Sequence, residues 1–150
     1  MLEFNLCFCT KKKKDRESPI PNVITLPKGK AAFGPLGGWN THYGPVGPGG
    51  GGPGPIGAGG CGPCVAIVIK CPGGIAVYHF TGGDDAYNEL RNQDWSGCDA
   101  IVCGGNDSPE SNCLADEVLR GASHGGINVV GVSGRDACGV TPGGGWYVGE

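Results

Sequence analysis

The sequence predicts an α/β domain built on a mostly antiparallel, sandwich-like sheet flanked by two helices. Three observations carry that expectation. The β-branched run Val65–Cys71 and the apolar run at 75–80 are joined by Pro72-Gly73-Gly74, the pattern of a β-hairpin. Ser108-Pro109-Glu110 is a cap followed by proline at the first helical position, and Leu114, Val118 and Ala122 then recur every four residues until Gly125-Gly126. Further short apolar runs between glycine-rich breaks complete the order β-β-α-β-α-β-β.

Taken from the start of the chain, residues 1–30 read as a mobile basic leader with one short strand near 23–26, ahead of Pro27. Residues 31–60 read as a Gly/Pro-rich linker: between Ala31 and Cys64 stand 14 Gly and 6 Pro, too many for a packed core. Phe33, Trp39, His42 and Tyr43 are the residues of that stretch able to dock on a neighbouring surface. The folded catalytic unit is then expected at 61–150. Within it, Asp84 and Asp85 are helix-start residues, and Ala86, Tyr87 and Leu90 set an apolar stripe for a short helix ending near Asn92. A strand at 100–103 stops at Gly104-Gly105, the long helix follows, and strands at 127–132 and 146–148 close the domain.

Charge is divided along the chain. The first 30 residues carry a net charge of +4, whereas residues 61–150 hold Lys70, Arg91, Arg120 and Arg135 against eleven acidic groups. An acidic catalytic half argues against a nucleic-acid partner. No apolar run reaches the length of a membrane span, so no membrane partner is expected, and the first ten residues lack the charged start and cleavage site of a secretory signal. Nine cysteines are many, but the number is odd and several lie inside apolar runs where cysteine acts as a small hydrophobe, so a reducing compartment is expected at the site of action.

The chemistry converges on Cys64 and His79. Cys64 stands between a glycine-rich turn and an apolar strand, where backbone amides can face an oxyanion. A thiol needs a base or a positive neighbour to become a nucleophile at neutral pH. Antiparallel pairing through the Pro72-Gly73-Gly74 turn returns His79 to the neighbourhood of Cys64, and His79 is that base.

Gly62-Pro63-Cys64-Val65-Ala66-Ile67-Val68-Ile69 followed by Ala76-Val77-Tyr78-His79-Phe80-Thr81-Gly82 resembles the nucleophile and histidine strands of the chemoreceptor glutamine deamidase family CheD and of the cytotoxic necrotizing factor catalytic domain. Downstream, Ala100-Ile101-Val102-Cys103-Gly104-Gly105-Asn106 and Gly126-Ile127-Asn128-Val129-Val130 are similar to later CheD strands, so the resemblance spans about residues 60 to 148. It implies a CheD-like fold and hydrolysis of a glutamine side-chain amide on a protein substrate, with Cys64 attacking, His79 moving protons, and no cofactor or metal. Transfer of the same thioester to an amine gives transglutamination. CheD has a threonine six residues before its nucleophile, where this chain has Ala58. The group orienting His79 is therefore open among a backbone carbonyl, Thr81 and Asn106. The leader, linker and catalytic unit are also similar in layout to the C-terminal modules of polymorphic bacterial toxins, which implies a secreted or injected effector acting in the target-cell cytoplasm and a cognate immunity protein.

Other readings compete. Cys61-Gly62-Pro63-Cys64 is the dithiol sequence of thioredoxin, but a Gly/Pro segment precedes it and a β-branched run follows where a helix belongs. Cys61 and Cys64 are also half of a zinc pattern, without a second half. No histidine is followed by x-Glu, which a zinc nucleobase deaminase needs, and the glycine pairs fit no nucleotide-binding loop. His124 is expected to sit at a helix C-terminus, and Ser133, Arg135 and Asp136 in a turn able to face substrate. A binding module that keeps the fold without turnover is the non-enzymatic alternative.

Overall fold

A computed structural model of the chain describes residues 11–26, 41–44, 56–59, 61–72, 74–141 and 144–149. At its centre is the expected hairpin, β4 (Val65–Cys71) and β5 (Gly74–Phe80), paired from Val65 with Phe80 to Cys71 with Gly74. Both strands are buried on both faces, which is why they read as continuous apolar runs. Strand alternation divides them: Val65, Ile67, Ile69, Ala76, Tyr78 and Phe80 join one core, and Ala66, Val68, Ile75 and Val77 join a second.

Two sheets and three helices surround this hairpin. The five-stranded sheet has the order β2-β5-β4-β6-β7, with β2 at Thr41–Gly44, β6 at Asp99–Gly104 and β7 at Asn128–Ser133. The four-stranded sheet has the order β1-β9-β8-β3, with β1 at Ile24–Leu26, β3 at Ile56–Ala58, β8 at Ala137–Val140 and β9 at Trp146–Gly149. Helix α1 spans Lys13–Arg16, α2 spans Ala86–Arg91 and α3 spans Pro109–His124. One core lies between the hairpin sheet and α2 and α3; the other lies between the two sheets. The fold is α/β, and each sheet is mixed, with one parallel pair: β6 with β7, and β1 with β9. The parallel β6–β7 pair follows from the length of α3, a crossover that a tight hairpin turn cannot replace.

Local chemistry explains the helices. The Ser108 hydroxyl accepts the amide of Ser111 at the start of α3, Pro109 occupies the first turn, and Leu114, Val118 and Ala122 are buried. Gly121 lets α3 approach α2, since a Cβ there would stand 2.7 Å from the Tyr87 carbonyl oxygen. Asp85 caps α2 by accepting the amide of Asn88.

Three expectations are corrected. The leader is docked over the residues described: Arg16 is buried and its Nη1 donates to Asn112 Oδ1 at 2.8 Å, the Ser18 amide donates to the Val132 carbonyl at 2.9 Å, and β1 pairs with β9. Asn112, on the buried side of α3, supplies the acceptor that holds the guanidinium. The segment read as a linker contributes β2 to the edge of one sheet and β3 to the other, pairing with β5 and β8. Phe33 and Trp39 lie outside the described residues, while His42 and Tyr43 belong to β2. The strand cysteines are cross-linked rather than reduced. Cys71 bonds to Cys98, its cross-strand neighbour at the β4–β6 junction, and Cys103 of β6 bonds to Cys138 of β8, tying the two sheets together.

Among the described residues, no helix is long and apolar enough to cross a membrane.

Candidate active site

Cys64 is the residue immediately before β4, half-buried and not in a disulfide. Its turn is held by β6: the Gly105 amide donates to the carbonyl of Cys64 at 2.9 Å and to that of Cys61 at 3.2 Å. Gly104 makes the approach possible. Its φ is +104°, and a Cβ there would stand 2.5 Å from the Cys64 carbonyl oxygen and 2.7 Å from the Cys61 Cβ. The glycine pair read from sequence as a strand stop is thus the seat of the cysteine turn.

His79 lies on β5 directly across from Ala66, so Cys64 is displaced from it by two residues along β4. Ala66 and His79 are directly paired and so share one face, the face turned toward the second sheet, and Cys64 stands two residues before Ala66, just ahead of the strand. Diagonal cross-strand positions of this kind lie about 7–8 Å apart at the backbone, within side-chain reach. No hydrogen bond joins the two in the resting arrangement. His79 is 1% exposed, and neither ring nitrogen has a hydrogen-bond partner. Burying an imidazole in that condition costs roughly 1–3 kcal/mol per unpaired group.

Electrostatics favour a neutral pair. Burial pushes the Cys64 thiol above its ordinary value, and the carboxylate of Asp84 pushes it the same way. Burial holds His79 below the ordinary histidine value, with Asp84 opposing. Asp84 is therefore the acidic group that acts on both. It is fixed at the end of β5, where its Oδ2 accepts the Thr81 amide at 2.7 Å and the Thr81 hydroxyl at 3.2 Å. In sequence it read only as a helix-start residue; the signal for more was its place five residues after the histidine.

Neither suggested orienting side chain hydrogen-bonds His79. Continuing the hairpin register places Thr81 across from Cys64, but its hydroxyl is spent on Asp84. Asn106 is exposed and serves the start of α3: its Oδ1 accepts the Ser108 amide at 3.1 Å and the Ser108 hydroxyl at 2.8 Å. Ala58 is buried in β3 across from Cys138 and has no hydroxyl to offer. Around the cysteine there is room. Gly62, Gly82 and Gly83, on the loops that flank Cys64 and Thr81, each have open space where a side chain would begin.

Cys61 is less accessible than Cys64 and its thiol is harder to ionise. It is fully buried, and its thiol is pushed up to about 12 by burial first, then by Cys64 and Asp136. The motif is followed by strand β4, so neither thiol gains the field of a helix N-terminus. His124 ends α3 as expected, with its Nδ1 2.6 Å from the Tyr87 hydroxyl. Ser133 and Arg135 line a groove with Glu17 and Val148 that includes neither Cys64 nor His79, while the Asp136 carbonyl accepts the Cys61 amide at 2.9 Å. Among the described residues, no three His, Cys, Asp or Glu side chains gather in a metal-binding arrangement.

No family model matches the chain, and no curated protein matches it at significance.

Proposed function

We propose that the chain is a cysteine-dependent hydrolase acting on protein glutamine side chains, with a CheD-like arrangement of nucleophile and histidine strands. One observation carries the reading: a free, half-buried cysteine stands two residues before Ala66, the strand partner of a buried histidine whose two ring nitrogens are unpaired. An imidazole kept neutral and without protein partners is equipped to accept a proton from a thiol and pass it on. A histidine serving only to pack would be expected to have at least one nitrogen satisfied.

The chemistry runs through the protein's own groups. As the Cys64 sulfur attacks the carboxamide carbon, His79 takes the thiol proton, and the negative charge of Asp84 favours the imidazolium so formed. His79 then gives that proton to the departing nitrogen, which leaves as ammonia, and a thioester on Cys64 remains. Water attacks the thioester while His79 accepts its proton, and the returning proton restores the thiol as glutamate departs. The open space beside Gly62, Gly82 and Gly83 suits an extended side chain reaching in from a protein surface.

The test is ammonia release and intact mass on mixtures of candidate bacterial and eukaryotic target proteins. Deamidation adds about one dalton per glutamine by exchanging an amide for an acid. Wild type is expected to release ammonia, and Cys64→Ala and His79→Ala are not. Equal release from Cys64→Ala counts against the reading.

A further inference from the structure

The proposed reaction leaves Cys61 unused. It is nevertheless placed as closely as a partner can be: three residues from Cys64 in a turn whose two ends are gathered by a single amide, that of Gly105. The same imagined Cβ on Gly104 would meet the Cys64 carbonyl oxygen at 2.5 Å and the Cys61 Cβ at 2.7 Å, so both residues crowd one point of β6. Four-residue turns hold their end Cα atoms within about 7 Å, and a disulfide spans Cα separations of about 4.4–6.8 Å. The fold also tolerates oxidised sulfur nearby, since Cys103, the β6 residue just before Gly104, is already bonded to Cys138.

We propose that Cys61 and Cys64 form a reversible disulfide that switches the nucleophile off under oxidising conditions and releases it under reducing ones. The inference rests on the reading of Cys64 as the nucleophile. With a small-molecule disulfide such as oxidised glutathione as oxidant, the Cys64 thiolate attacks one glutathione sulfur and displaces the other as a thiolate. The Cys61 sulfur then attacks Cys64 in the mixed disulfide, loses its proton to solvent and displaces the second glutathione. Two protein thiols and one oxidised glutathione become one protein disulfide and two reduced glutathiones, and reduction runs the same steps backwards.

Burial accounts for the direction of the balance. Strongly oxidising dithiols owe their potential to a stabilised thiolate in the reduced form. Here desolvation disfavours a thiolate on Cys61, and the half-buried Cys64 gains no helix dipole, so nothing of that kind holds the pair open. The disulfide is accordingly favoured in an oxidising medium, and an excess of reduced thiol reverses it by mass action. A hydrolase that crosses an oxidising space before it acts is then silent in transit, with its thiol protected from higher oxidation.

The experiment equilibrates the full chain in oxidised and reduced glutathione mixtures, quenches with iodoacetamide and maps tryptic peptides. Cleavage after Lys30 and Lys70 gives one peptide that contains Cys61 and Cys64 and no other cysteine. In oxidised buffer that peptide is expected to resist alkylation and to be lighter by two hydrogens. In reduced buffer it is expected to take two labels while Cys71–Cys98 stays intact. Cys61→Ala is expected to leave Cys64 as a glutathione adduct in oxidised buffer and to take a single label, on Cys64, in reduced buffer. Two labels on the wild-type peptide in oxidised buffer, or the same glutathione adduct on wild type and Cys61→Ala, overturn the proposal. The readout does not depend on turnover: a disulfide without ammonia release sinks the hydrolase reading alone, and ammonia release without a disulfide sinks the switch alone.

Discussion

Gly104→Ala tests the link between β6 and the nucleophile. At φ +104°, an alanine carries a left-handed strain on the order of 1–3 kcal/mol. Its methyl group would also stand 2.5 Å from the Cys64 carbonyl oxygen, where ordinary contact begins near 3.4 Å, so the cysteine turn must retreat by about an ångström. That retreat breaks the 2.9 Å bond from the Gly105 amide, worth about another 1 kcal/mol, for a total loss of roughly 2–4 kcal/mol. Displacing a nucleophile by about 1 Å costs on the order of a hundredfold in rate. Urea unfolding reads the first quantity, and ammonia release together with the rate of Cys64 alkylation reads the second. Gly62→Ala is the control for stability, because open space surrounds that position and the urea midpoint should not move. If Gly104→Ala unfolds at the wild-type urea concentration and turns over within twofold of wild type, the seat assigned to the cysteine turn is wrong.

Two further outcomes follow from the charges at the site. His79 is held below its ordinary value when folded, so the unfolded chain binds a proton that the folded chain refuses; stability present above about pH 6.5 is lost as pH falls through the folded value. Urea titrations of wild type and His79→Asn between about pH 7.5 and 5 should therefore converge or cross as the pH falls, and parallel curves refute the burial of a neutral imidazole. Asp84→Asn keeps an oxygen to accept the Thr81 amide but removes the charge that raises both Cys64 and His79, so the midpoint of Cys64 alkylation against pH should move to lower pH; an unmoved midpoint removes Asp84 from the site.

What the sequence disclosed was what local chemistry encodes. The hairpin could be read because turn residues and two apolar runs are contiguous, and its register sets His79 across from Ala66, two residues after Cys64. Helix α3 was legible from its cap, its proline and its four-residue recurrence. Strands β3 and β8 were missed because Ile56–Ala58 and Ala137–Val140 contain glycine where strand propensity is read, and only pairing with each other and with β9 holds them. Docking of the leader depends on Arg16 finding Asn112, 96 residues away, and no local pattern announces that. The disulfides were hidden for the same reason: among nine cysteines, partners are decided by which strands become neighbours. Asn106 looked suitable by residue type alone, whereas helix capping had already claimed its oxygen.

The resting site is then best understood as a neutral thiol beside a neutral imidazole, not as a preformed ion pair. Both shifts point that way, because the environment that desolvates the thiol also desolvates its base. In the proposed reaction a neutral pair moves its proton only when the sulfur meets a carbon electrophile, so turnover would depend on His79 at the moment of attack rather than on a standing population of thiolate. The proposed reaction gives a buried, unpaired histidine a use. A protein hydrogen bond to either nitrogen would stabilise the site at rest but occupy a group needed to receive or deliver a proton. The cost is borne by a fold held by two apolar cores and by the Cys103–Cys138 cross-link between its sheets.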